Sequence, residues 1–113
     1  MADILKILSQ SLAASSLTKV YEVPERSQAS ITSISICNQN SSDVTVDIAL
    51  FDNNVDISSP AAKNYVFKTF GVEANSTQLI SPGFTLDQRN VIAVNCSTAS
   101  NVGVNIFGIE TTR

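Results

Sequence analysis

Apolar and polar residues alternate in short runs along most of this chain. Ser, Asn, Asp, Gly or Pro breaks them at intervals of about 8–12 residues, the spacing of an all-β sandwich or barrel. The clearest run is "DVTVDIALF", which predicts a strand with Val44, Val46, Ile48 and Leu50 facing in and Thr45 and Asp47 facing out. "TKVYEV" places Val20 on one face and Tyr21 and Val23 on the other, and Pro24 stops the ladder because it has no N–H to give. "QASITSISIC" changes phase: Ile31 is odd-numbered, whereas Ile34 and Ile36 are even. A side-chain period of two cannot hold all three on one face, so a bulge or a sheet switch is expected near Thr32 and Ser33.

The other elements follow the same logic. Asn38–Ser42 reads as a turn, since Asn tolerates left-handed backbone. "VIAVNC" is almost continuously apolar, as a central strand is. "NYVFKTF" carries aromatic residues on both faces, and "VGVNIFGIE" closes the chain with Val102, Val104 and Ile106 inward. Gly103 and Gly108 in that last run suggest close backbone approach or a bend. About eight strands and no strong helix predict an antiparallel β-sandwich, immunoglobulin-like or jelly-roll-like. The start is ambiguous. Ile4, Leu5, Ile7, Leu8 and Leu12 would line one face of a short helix, but they also suit an edge strand or an extended arm. Residues 1–17 are therefore expected to form an N-terminal arm or edge segment, and residues 18–113 the sandwich.

Composition narrows the possible functions. Of 113 residues, 15% are charged, against roughly 25% in typical soluble domains, and Ser, Thr and Asn make up the difference. A surface of hydroxyls and amides has little charge to hold copies apart. The seven cations are scattered and the net charge is −3, which leaves no basic stripe to follow a phosphate backbone and argues against nucleic-acid binding. Apolar runs fall far short of the ~20 residues of a membrane span, and the first residues lack the basic start and cleavage site of a secretory signal. The expectation is a protein used without export. In that setting Cys37 and Cys96 are expected to be buried thiols rather than a disulfide.

Catalytic chemistry finds little support. The chain has no histidine, which removes most general-base and triad mechanisms and the commonest metal ligand. The polar segment "DNNVDISSPAAK" places Asp52, Asn54 and Asp56 at the spacing of the first three ligands of a calcium loop. Ile57 then replaces the glycine, and Lys63 stands where the closing glutamate belongs. We expect no metal, no cofactor and no enzymatic activity. The loop is long enough to suggest a binding or contact role, with Asp52, Asn54, Asp56 and nearby Tyr65 as candidates. Tyr21, Tyr65, Phe67 and Phe70 offer material for a sugar-stacking platform, although such residues are more often core or interface anchors.

The order of segments resembles that of small β-sandwich virion proteins of tailed bacteriophages. The resemblance rests on "LTKVYEVPERSQASITSISICN", and above all on its Tyr21-x-Val23-Pro24 and Ile36-Cys37-Asn38 pieces. "NQNSSD", "VTVDIAL", "NYVFKTF" and "NIFGIE" follow in order. It spans roughly Ile4 to Glu110, with "PERSQA" replacing a glycine-bearing turn and the 52–63 loop being this chain's own. It implies a non-enzymatic subunit present in many copies, decorating a head or forming a neck or tail accessory ring, and assembled in the host cytoplasm. The implied partners are a major capsid protein or tail and neck proteins, together with copies of itself in a homo-oligomer; a glycan-binding module of a tail appendage is the alternative. Contacts are expected through the first segment (Ile4, Leu5, Ile7, Leu8, Leu12) and the sheet edges, by strand addition.

Overall fold

In a computed structural model the chain forms nine strands, and residues 2–52, 57, 60–97 and 101–112 are described, with side chains from residue 6 onward. The strands are β1 (Ala2–Leu12), β2 (Thr18–Glu22), β3 (Ser27–Asn38), β4 (Val44–Phe51), β5 (Tyr65–Val72), β6 (Ser76–Ile80), β7 (Phe84–Leu86), β8 (Val91–Cys96) and β9 (Val102–Thr112). They pair as a long hairpin folded near its middle: β1 with β9, β2 with β8, β3 with β6 and β7, and β4 with β5, all antiparallel. The hairpin then rolls up. β9 also pairs with β3, and β8 with β4. A five-stranded sheet in the order β1-β9-β3-β6, with β7 also on β3, faces a four-stranded sheet in the order β2-β8-β4-β5. Of the two sandwich types expected from sequence, this order is the jelly roll. The segment at 4–8 is strand, and the helical alternative is not adopted.

The alternation read from the sequence sets the core. Val44, Val46, Ile48, Ile34, Ile36, Val102, Val104 and Ile106 are buried between the sheets with Val23, Ile31 and Ile92. The phase change in β3 is a bulge: Ile31 lies opposite Gly108 and Ser33 opposite Phe107, leaving Thr32 as the extra residue. Its hydroxyl donates to the Phe107 carbonyl (3.1 Å), satisfying an acceptor beside the interrupted ladder. β1 bulges against the same part of β9, at Leu8, between the pairs Ile7–Phe107 and Ser9–Ile106. On the far side of β3 the partner strand changes at the same level, from β7 opposite Ala29–Ile31 to β6 opposite Ile34–Asn38. One crease thus crosses the sheet. Gly108 makes it possible: a Cβ there would stand 2.1 Å from the Ser30 carbonyl oxygen and 3.2 Å from Ile31 Cα.

The four-stranded sheet is buried on its inner face and over one patch of its outer face. Ala49, Phe51, Val91 and Ala93, on its outer face, form a second cluster that Leu17, Ile57 and Tyr65 cover. At one end of the sandwich the buried Asn38 amide donates to the carbonyls of Ser42, Val72 and Glu73 and accepts from the Asn40 N–H, joining two turns. The cysteines differ from expectation: Cys96 is buried, but Cys37 is only half-buried. Cys37 pairs with Gly103 on the outward register of β3, whereas Cys96 packs into the core, and the two form no disulfide.

Gly108→Ala should therefore destabilise by about 1–3 kcal/mol, the ordinary cost of forcing atoms into filled space. Gly103→Ala, whose nearest neighbour would be 3.9 Å away, should be neutral or slightly stabilising. Thermal or urea unfolding of the two variants checks this, and equal effects would remove the crease as their cause.

Candidate interaction surface

The outer face of the five-stranded sheet is fixed by register. Residues 103, 105, 107 and 109 of β9 point outward between the buried even-numbered positions. Across them run the rows Ile7–Phe107–Ser33, Gln10–Asn105–Ser35–Leu79 and Leu12–Gly103–Cys37–Thr77, with Ile109, Ser30 and Thr85 in a fourth. Among the described side chains of these rows none is charged. Among the described residues, three of the four exposed large apolar side chains lie on them: Ile7 at 51%, Leu12 at 64% and Leu79 at 65%. Depletion of charge with retained apolar area is the compositional mark of an interface core. The other sheet's outer face carries Asp47 paired with Lys68 (3.2 Å) and Lys19 paired with Glu22 (2.9 Å), and its apolar patch is already covered.

β1 is the edge of this uncharged face. Among the described residues it pairs only with β9, which leaves the other side of its eleven-residue backbone open. Such edges invite strand addition unless blunted. The opposite edge of the molecule is blunted: β5 breaks register twice against β4, and Thr69 there adopts a positive φ of 57° with its N–H donated to Asp47. β1 has one bulge and one cation, Lys6.

Lys6 is tied to a buried carboxylate. Its Nζ lies 2.9 Å from Glu110 Oε1, and the Tyr21 hydroxyl donates to Glu110 Oε2 at 2.5 Å. Three strands, β1, β2 and β9, meet through this one group. Burial alone would raise the Glu110 carboxyl, but the hydrogen bonds from Tyr21 and Lys6, with the Lys6 charge, outweigh it and hold the carboxyl below its usual range. Burial, followed by the bond to Glu110 and its charge, pushes the Tyr21 phenol up.

The residues named from sequence are distributed as follows. Ile7 and Leu12 are exposed on the outer face, and Leu8 packs against the core. Ile4 and Leu5 belong to β1, opposite Glu110 and Ile109, and their side chains lie outside the described residues. Asn54 and Asp56 also lie outside them. The Asp52 carbonyl accepts from Asn90 (3.3 Å). Asp52 borders an open cleft of about 540 Å³ with Leu50, Lys63, Asn64, Leu86 and Asn90. Among the described residues no group of three or more His, Cys, Asp or Glu could hold a metal ion. The four aromatic residues do not share a platform. Phe67 and Phe70 meet edge to face at 5.6 Å against the core, Tyr21 is buried, and Tyr65 lies across the sheet over the second cluster with Lys68 Nζ 4.4 Å from its ring centre. Sequence reasoning missed the Lys6–Glu110–Tyr21 group, whose members are up to 104 residues apart (110 − 6). The uncharged face did leave a signal, in the hydroxyl-only outward positions of "SITSIS".

The Glu110 group gives a signed pH dependence. The unfolded carboxyl titrates at its ordinary value near 4.5 and the folded one lower, so its stabilisation is complete above 4.5 and is lost as the pH falls through the folded value. Glu110→Gln should lower stability at neutral pH by about 1.5–3 kcal/mol, the worth of hydrogen bonds to a charged group, and flatten the acid limb. Denaturant unfolding at stepped pH tests both; a variant curve parallel to the parent's would take Glu110 out of the acid response.

No family model matches the chain, and no curated protein matches it. Among solved structures the fold is similar to the tobacco streak virus coat protein dimer, with a TM-score of 0.48 and 12% identity over 98% of this chain and 85% of that one. It is also similar to PirA, with a TM-score of 0.43 and 14% identity over 95% of this chain and 91% of that one.

Proposed function

We propose that this chain is a non-enzymatic structural subunit of a tailed-phage virion, present in many copies, that decorates or stabilises a capsid or builds a neck or tail accessory ring. The observation that carries the reading is the uncharged outer face of the five-stranded sheet ending in the open edge of β1. A polar-apolar face with no charge among its described side chains to desolvate loses little on being covered, and its open edge offers a backbone ladder to a neighbour. The jelly roll itself does not decide the matter, because it carries capsid and lectin domains alike. The phage assignment follows from the Tyr21-x-Val23-Pro24 and Ile36-Cys37-Asn38 resemblance. The partners on this reading are copies of the chain and a major capsid, neck or tail protein, and the site of action is the particle, assembled in the host cytoplasm.

The decisive variant leaves the fold intact. Ile7→Glu with Leu12→Glu places two charges on exposed positions, where substitutions shift stability by about 0.5 kcal/mol or less each. The double variant should keep the parent's melting temperature within a few degrees and lose at least tenfold in incorporation into particles, measured against the parent in the same infection. Undiminished incorporation would remove this face from the assembly contact.

A further inference from the structure

The described side chains of β1 have little hold on the core, and the rest of the chain supplies everything that seats it. None of its described side chains, Lys6 to Leu12, is fully buried, and Leu8 alone packs against the core. β9 beside it buries every second residue from Val102 to Glu110. In the inward positions opposite Ile106 and Val104, β1 carries Ser9 and Ser11. The Ser9 hydroxyl donates to the Val20 carbonyl, and the Ser11 hydroxyl is buried with no hydrogen-bond partner among the described residues. The seat is therefore held mainly by polar and backbone ties: the ladder to β9, Lys6 to Glu110, Ser9 to Val20, the Ala13 N–H to the Val102 carbonyl, and the Cys96 N–H to the Ala14 carbonyl. Between Ala14 and the start of β2 lie Ser15 and Ser16, both exposed, and then Leu17, which packs on the outer cluster of the four-stranded sheet.

We propose that β1 is exchanged between copies of this chain: residues 2–14 leave their own β9 and take the same seat on a second copy, reciprocally, with Ser15–Ser16 as the hinge. The occupant is a second copy because the seat is cut to this sequence. It requires an extra residue at the crease, a side chain of Leu8's reach over Gly108, a cation two residues earlier for Glu110, and a small hydroxyl for the Val20 carbonyl. Exchange keeps every one of these contacts and changes only the hinge, so it is a low-cost route to association. A strand with few buried apolar contacts also opens at the low end of the local-unfolding scale. The inference rests on the assembly reading of β1 and deepens it.

The test uses the full chain and follows the position of the strand rather than particle incorporation. Equal amounts of ¹⁵N-labelled and unlabelled protein are unfolded, refolded together at high concentration and separated by size. Carbodiimide then joins Lys6 to Glu110, whose charged atoms stand 2.9 Å apart. In the dimer fraction roughly half of the linked Lys6–Glu110 peptides should be isotopically mixed, the share expected for reciprocal exchange in randomly formed pairs. Same-isotope links only, in every oligomer, would overturn the proposal, as would a monomer at all concentrations. Deleting Ser15 and Ser16 shortens the hinge and should raise the dimer share severalfold; an unchanged monomer would also count against exchange. If exchange fails while the Ile7/Leu12 variant still loses incorporation, the outer face remains the assembly contact.

Discussion

The five-stranded sheet depends on one steric fact: β9 and β3 approach so closely at Gly108 that no Cβ fits between them. β9 keeps strict alternation through this point, and its neighbours adjust to it. β3 inserts Thr32, β1 inserts Leu8, and the partner on the far edge changes from β7 to β6. Bulges add local twist and bend, and three interruptions on one line turn a flat sheet into a creased one. The crease also sets side-chain phase. Without the bulge that takes Thr32 out of the alternation, the buried Ile31 and the buried Ile34 and Ile36 would lie on opposite faces, and either the core or the surface would lose its composition.

From the crease follows an asymmetry between the sheets. The four-stranded sheet spends its outer apolar positions internally: Ala49, Phe51, Val91 and Ala93 are closed over by Leu17, Ile57 and Tyr65. The segment after β4, which in sequence looked like a free loop with candidate ligands, supplies Ile57 to that cover, and Asn64 pins its end to the Leu50 carbonyl at 2.9 Å. The five-stranded sheet has no such cover among the described residues, and its outward rows carry Ser, Thr, Asn and Gln with Ile7, Leu12 and Leu79. A single chain thus presents one finished face and one unfinished one.

Much of this was legible in the sequence, for a definable reason. Alternation is a local property, so the inward sets of β4 and β9 and the bulge in β3 followed from residue order alone. Double-sided burial was visible in "VIAV", which has no polar position to turn outward, but the partner that covers its second face is remote. The Glu110 group could not be read. Lys6 and Glu110 are each ordinary surface residues by type, and only the β1–β9 register, itself shifted by the bulge at Leu8, places them on one inward face with Tyr21. Cys37 departs from the buried thiol expected of a chain used without export. Its position one residue after Ile36 puts it on the outward phase instead.

The same register explains why the unfinished face and the loosely seated strand coincide. Beyond the bulge, β1 turns small hydroxyls toward the core and leaves Leu12 outside. A strand optimised to stay would do the reverse, since burying an apolar side chain contributes about 1.5–3 kcal/mol whereas a buried, unpaired hydroxyl costs a similar amount. The lost apolar burial is replaced by directional ties, Lys6 to Glu110 and Ser9 to Val20, which specify where the strand belongs more than they hold it there. Strong specification with weak retention is the combination an exchangeable strand needs. Any copy of the chain satisfies the seat equally, and the opening cost stays small compared with unfolding the core between the sheets.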